Sequence, residues 1–114
     1  MYFRSVIKNG KGMLSYSMQQ MIPQIQGCLS EQPVSRAWLF GSYSRGEETA
    51  DSDIDLLVEY TDSDSISLLT ISRIATALRW MTGRTVDLVE RSRLLPFASK
   101  SAEQDKILIY ERKS

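Results

Sequence analysis

Hydrophobic and polar positions alternate in short blocks along the chain, and the period of each block predicts its element. Met18, Met21, Ile22, Ile25, Cys28 and Leu29 recur at the three-and-four spacing of one helix face. That spacing predicts a helix from Ser15 to Glu31, which Pro23 either kinks or starts and Pro33 ends. Val34 to Phe40 is a short, mostly apolar run closed by Gly41, which predicts a strand. Ser42 to Ser52 is rich in Gly, Ser, Thr and acids, and so predicts a loop or a short helical turn. Ile54 to Tyr60 predicts a second strand. Asp62, Ser63 and Asp64 are of N-cap type, ahead of a helix predicted from Ser65 to Met81. Its apolar stripe is Leu68, Ile71, Ala75 and Leu78, with Ile74 and Met81 beside it, and Gly83 is its stop. Thr85 to Glu90 predicts a third strand. Leu94 to Lys106 reads as partly helical, broken by Pro96, and Ile107 to Tyr110 as either an edge strand or the end of that helix.

No repeat or low-complexity linker divides the chain. The pattern predicts a small α/β (α+β) domain, a mixed sheet with helices packed on one side. Residues 1–13 read as an N-terminal extension whose order the sequence leaves open, and residues 14–114 as the domain.

Composition narrows the chemistry. The chain has 114 residues, enough for one core and no independent second domain. It holds 14 basic and 14 acidic residues, without the basic excess of a dedicated nucleic-acid binder. Histidine is absent. That excludes a Ser-His-Asp triad, a Cys-His dyad, histidine-ligated zinc and an imidazole general base. Cys28 is the single cysteine, so an internal disulfide is excluded too. Catalysis would have to run on carboxylates, hydroxyls, Arg or Lys, or a hard metal on oxygen ligands. No stretch approaches the roughly 18 apolar residues that mark a membrane-spanning helix, and the first thirteen residues do not read as a signal peptide. With the lone cysteine, this predicts a cytoplasmic protein that does not engage a membrane.

Charge is unevenly spread. From Glu47 to Asp64 the chain carries eight acids and no base, whereas from Arg73 onward nine bases face five acids. Such a run is usually a solvated loop, but here a strand pattern passes through it. Asp53 and Asp55, two apart at the start of a strand, share one face, while Ile54, Leu56 and Val58 take the other. Adjacent carboxylates repel unless a cation holds them, and a magnesium-type ion is the hard cation that accepts carboxylate oxygens while keeping positions for phosphate. The plainer alternative is a solvated cap. Upstream, Gly41 and Ser42 close the first strand, where glycine lets the backbone approach an anion and the hydroxyl and N–H groups can bind it. A routine Gly-Ser turn would look the same. Asp87 alternates with Val86 and Leu88, so its carboxylate needs a cation, water or a salt bridge to Arg84 or Arg91.

Taken together, Gly41-Ser42, ten intervening residues and Asp53-Ile54-Asp55 resemble the signature of the polymerase-β-like nucleotidyltransferase superfamily. The stretch LFGSYSRGEETADSDIDLLVEY is similar to that of its minimal nucleotidyltransferases, and Val86-Asp87-Leu88-Val89 to the family's third carboxylate strand. The resemblance is strong over Ala37 to Tyr60, and weak over the first thirteen residues and the tail.

The resemblance implies the polymerase-β-like fold and transfer of AMP from ATP or another NTP. Asp53, Asp55 and Asp87 would be the catalytic residues, holding one or two magnesium ions. Asp87 would complete the second metal site or take the proton of the attacking hydroxyl. Gly41 and Ser42 would bind the β- and γ-phosphates, with Arg45 as a charged contact or simply a solvent-facing arginine. It further implies a HEPN-family toxin as partner, a tyrosine hydroxyl on it as acceptor, antitoxin action, and a homo- or hetero-oligomer. Trp80 and Tyr43 are candidate partner-surface aromatics, although ordinary packing is the commoner use of such residues. Two other readings stay open: a non-catalytic module that neutralises a toxin by binding alone, and a small-molecule adenylyltransferase.

Overall fold

The computed structural model describes residues 8–9, 12–91 and 105–113. A short antiparallel pair, β1 (Lys8–Asn9) and β2 (Gly12–Met13), precedes the domain proper. The main elements are α1 (Tyr16–Ser30), β3 (Val34–Phe40), α2 (Ser42–Arg45), β4 (Ile54–Tyr60), α3 (Leu68–Thr82), β5 (Val86–Glu90) and β6 (Ile107–Glu111). Strand order in the sheet is β5-β4-β3-β6. β3 runs antiparallel to β4 and β6, and β4 runs parallel to β5. The sheet is therefore mixed, and α3 is the crossover that a parallel pair requires.

Both long helices lie on one face. Met18, Ile22, Ile25 and Leu29 of α1 and Ile74 and Leu78 of α3 join Ala37 and Leu39 of β3, Ile54, Leu56 and Val58 of β4, and Ile107 and Ile109 of β6 in one core. The other face carries a smaller cluster, Trp38 and Leu57 with Phe40, Val89 and Leu108 packed against them. Three cationic groups lie over the Trp38 ring, with Arg91 nearest at 4.8 Å from its centroid.

Ser15 caps α1, its hydroxyl accepting from the Met18 N–H at 3.1 Å. The helix runs through Pro23 and does not start there. Pro23 is on the exposed side, where the carbonyl it leaves unpaired can turn to water. Ser67, not the acidic cluster before it, caps α3 by accepting from the Thr70 N–H at 3.2 Å. The helix therefore begins three residues later than predicted, after a short 3₁₀ turn at Ser63–Ser65. Of the expected stripe, Ile71 and Leu78 face the core, with Ile74 and Ala77, whereas Leu68 and the flanking Met81 are exposed. Gly83, at φ 71°, closes α3 in the left-handed conformation.

Ile107–Glu111 resolves to an edge strand. Arg112 follows it and donates from Nε to Val34 O (3.1 Å) and from Nη2 to Ser30 O (3.2 Å) and Gln32 O (2.6 Å). It thereby closes the C-terminal end of α1 from the neighbouring strand. Buried Gln26 reaches the same strand, donating to Ile109 O at 2.7 Å. The predicted helix over 94–106 lies outside the described residues except at its last two positions. No helix among the described residues is long and apolar enough to cross a membrane.

Candidate active site: a carboxylate cluster on the open face

Strand register assembles the candidate residues. Phe40 pairs with Asp55 across the antiparallel β3–β4 ladder, and Asp55 pairs with Asp87 across the parallel β4–β5 ladder. Asp53 stands two residues before Asp55 at the mouth of β4 and is exposed, as is Asp87, while Asp55 is half-buried. All three belong to the face opposite α1 and α3, because the alternate residues Ile54, Leu56, Val86 and Leu88 face the helical core.

Gly41 follows Phe40 and so lies beside Asp55. Its φ of 76° and ψ of −157° place it where glycine is strongly favoured. A Cβ built at Gly41 would fall on Oδ2 of Asp55. Glycine here is thus a requirement of close approach as well as of backbone angle. Its carbonyl accepts two bonds from Ser44, from N at 3.0 Å and from Oγ at 2.6 Å. Ser42 begins the four-residue α2, and Gly46 ends it at φ 69°.

Burial, Asp87 and Asp53 push the Asp55 carboxyl up to about 6, while Arg45 pulls the other way. A group whose ionised form is penalised by desolvation and by two like charges is one that a hard cation would relieve. The donor set, carboxylate oxygens without histidine or thiolate, fits magnesium. Among the described residues no three such side chains are gathered closely enough to grip an ion as they stand. Asp53 and Asp87 would turn inward to do so, as their exposure permits.

Arg45, expected near phosphate or in solvent, is engaged by two acids. Its Nη1 donates to Asp105 Oδ2 at 2.8 Å and its Nε to Glu47 Oε1 at 2.9 Å. Asp105 was not visible as a site residue in the sequence, because sixty positions separate it from Arg45. Arg91, one candidate salt-bridge partner for Asp87, reaches Glu59 of β4 at 3.1 Å. Tyr43 does not serve a partner surface: at 1% exposure it packs in the helical core. Trp80 is 84% exposed.

A model of the nucleotidyltransferase domain matches residues 22–109. The protein adenylyltransferase MntA of Thermococcus cleftensis is 35% identical over 71 residues, 62% of this chain and 70% of that protein. A solved structure described as a minimal nucleotidyltransferase superimposes with a TM-score of 0.70 at 28% identity, covering 86% of this chain and 98% of the other. A chain from a complex of a tri-AMPylated Shewanella oneidensis HEPN toxin with its MNT antitoxin shares the fold (TM-score 0.63, 21% identity, 82% and 72% covered). The matched span runs from α1 to β6 and contains every residue of the carboxylate cluster, and the chain belongs to the nucleotidyltransferase domain family.

Proposed function

We propose that this nucleotidyltransferase is a magnesium-dependent protein adenylyltransferase. It moves AMP from ATP onto a tyrosine hydroxyl of a HEPN-family toxin and so acts as the antitoxin. The observation that carries this reading is the register pairing of Asp55 with Asp87 beside a glycine that admits no side chain. A binding-only module has no use for either feature.

In this reading Asp53, Asp55 and Asp87 would hold one or two magnesium ions, which would supply positive charge against the phosphates of the in-line displacement. Gly41 and Ser42 present backbone N–H groups and a hydroxyl to the β- and γ-phosphates. The acceptor oxygen bonds to the α-phosphorus, the bond from that phosphorus to the α,β-bridging oxygen breaks, and pyrophosphate leaves. Asp87, exposed at the rim, takes the hydroxyl proton or completes the metal site. The absence of histidine suits this chemistry, since a cation lowers the pKa of a bound hydroxyl without an imidazole.

Trp80 supports a protein partner. It lines a shallow depression of about 430 Å³ with Thr76, Arg79 and Gly83 on the outer side of α3. Exposed Trp flanked by Arg is the composition of an interface hot spot.

The test is transfer of label from α-labelled ATP, with magnesium, to the purified HEPN partner. Label on a partner tyrosine, lost in Asp53→Ala, is expected. No transfer from any nucleoside triphosphate would overturn the reading.

A further inference from the structure

Helix α2 is four residues long, too short to hold itself. Three consecutive side chains tie it down in different directions. Tyr43 enters the core, Ser44 bonds back to the Gly41 carbonyl, and Arg45 crosses to Asp105. The last tie joins α2 to the segment that leads into β6. Asp105 stands two residues ahead of β6, and β6 is the ladder partner of β3, whose last residue precedes Gly41.

The two acids on Arg45 are unlike. Glu47 is 65% exposed and two residues away, so its bond is a loose local one. The Asp105 side chain is 7% exposed. A carboxylate buried to that degree needs charged or hydrogen-bonding partners, and Arg45 is one that joins it to α2. The Arg45–Asp105 bond therefore has the character of a fixed brace.

We propose that Asp105 is a positioning residue for nucleotide binding: through Arg45 it fixes α2, and with it the Gly41–Ser42 turn, beside Asp55. The proposal rests on Gly41–Ser42 being the triphosphate cradle. It separates from the simpler idea that Arg45 itself pairs with phosphate while Asp105 tempers its charge, because the two give opposite signs. Removing a negative charge beside a triphosphate site tightens binding if charge decides, and loosens it if position decides.

The experiment is calorimetric titration of the full chain with magnesium and α,β-methylene ATP, the analogue whose α,β bridge the proposed reaction cannot break. Asp105→Asn is expected to weaken binding by about tenfold, the loss of roughly one charge-assisted hydrogen bond. Asp105→Glu should restore part of that loss, and Glu47→Gln should leave affinity within about twofold, as for an exposed pair. Amide exchange of residues 41–46 without nucleotide should accelerate in Asp105→Asn. Should that variant fail to fold, the double variant Arg45→Gln/Asp105→Asn removes both charges of the pair, and it too should bind about tenfold more weakly. Tighter or unchanged binding by a folded Asp105 variant, with wild-type binding intact, overturns the brace alone. Wild-type protein that binds no nucleoside triphosphate overturns the cradle and the brace together.

Discussion

The two faces of the sheet follow different rules. On the helix-covered face β4 contributes Ile54, Leu56, Val58 and Tyr60, all buried. On the other it presents Asp53, Asp55, Leu57 and Glu59, three acids around one buried leucine. The first face lowers free energy by removing apolar surface from water. The second gathers like charges and raises the Asp55 carboxyl to about 6, an arrangement that makes sense where a cation is bound. Stability and chemistry are thus sorted by strand alternation, and a substitution should reveal its face by what it damages.

The largest effect belongs to the covered face. Leu56→Ala should cost about 2–5 kcal/mol of stability, as for other fully buried leucines, read by urea denaturation. A cost under 1 kcal/mol would mean that the core repacks freely there. Gly41→Ala should do the reverse, lowering label transfer by about 100-fold through displacement of Asp55 or of the turn. Its unfolding midpoint should fall far less than that of Leu56→Ala. A fully active Gly41→Ala protein would show that the close approach to Asp55 is incidental.

Smaller still is the tie between the two layers. Arg112→Ala removes four hydrogen bonds to the end of α1 and the start of β3 and should cost about 1–2 kcal/mol, with no change in nucleotide affinity.

The smallest effect is a pH signature of the open face. The folded Asp55 carboxyl sits above its ordinary value of 3.8, near 6. Its ionisation therefore opposes folding: the cost is absent below the unfolded value, grows as pH rises between the two, and is complete above about 6. In chelator, Asp55→Asn should melt a few degrees higher than wild type at pH 8 and at the same temperature near pH 3.5. Magnesium at pH 8 should raise the wild-type midpoint and not that of the variant. Equal melting of the two proteins at both pH values would remove the electrostatic argument for a cation site.

Much of this was legible in the sequence because period encodes face. The alternation through Ile54–Tyr60 put Asp53 and Asp55 on one face, and that through Thr85–Glu90 set Asp87 opposite Val86 and Leu88; Gly41 announced a backbone constraint by its position at a strand end. The unread parts depend on contacts that no local pattern carries. Ser67 outcompeted the acids at 62 and 64 as the cap of α3, and tertiary packing left Leu68 and Met81 of the apolar pattern in solvent. Arg45 looked like a phosphate contact or a solvent-facing side chain until Asp105 arrived beside it from the far end of the chain. Tyr43 and Trp80 were equivalent aromatics in the sequence; only tertiary packing sends one into the core and leaves the other on the outer side of α3.

The account turns on the claim that the open-face carboxylates do chemistry that the partner feels. The most direct measurement is neutralisation of the proposed HEPN partner's toxicity by the double variant Asp53→Asn/Asp55→Asn, with folding and complex formation verified alongside. The account predicts a folded protein that still binds its partner and fails to neutralise it. Full neutralisation by that variant would contradict the account and leave the chain a binding module.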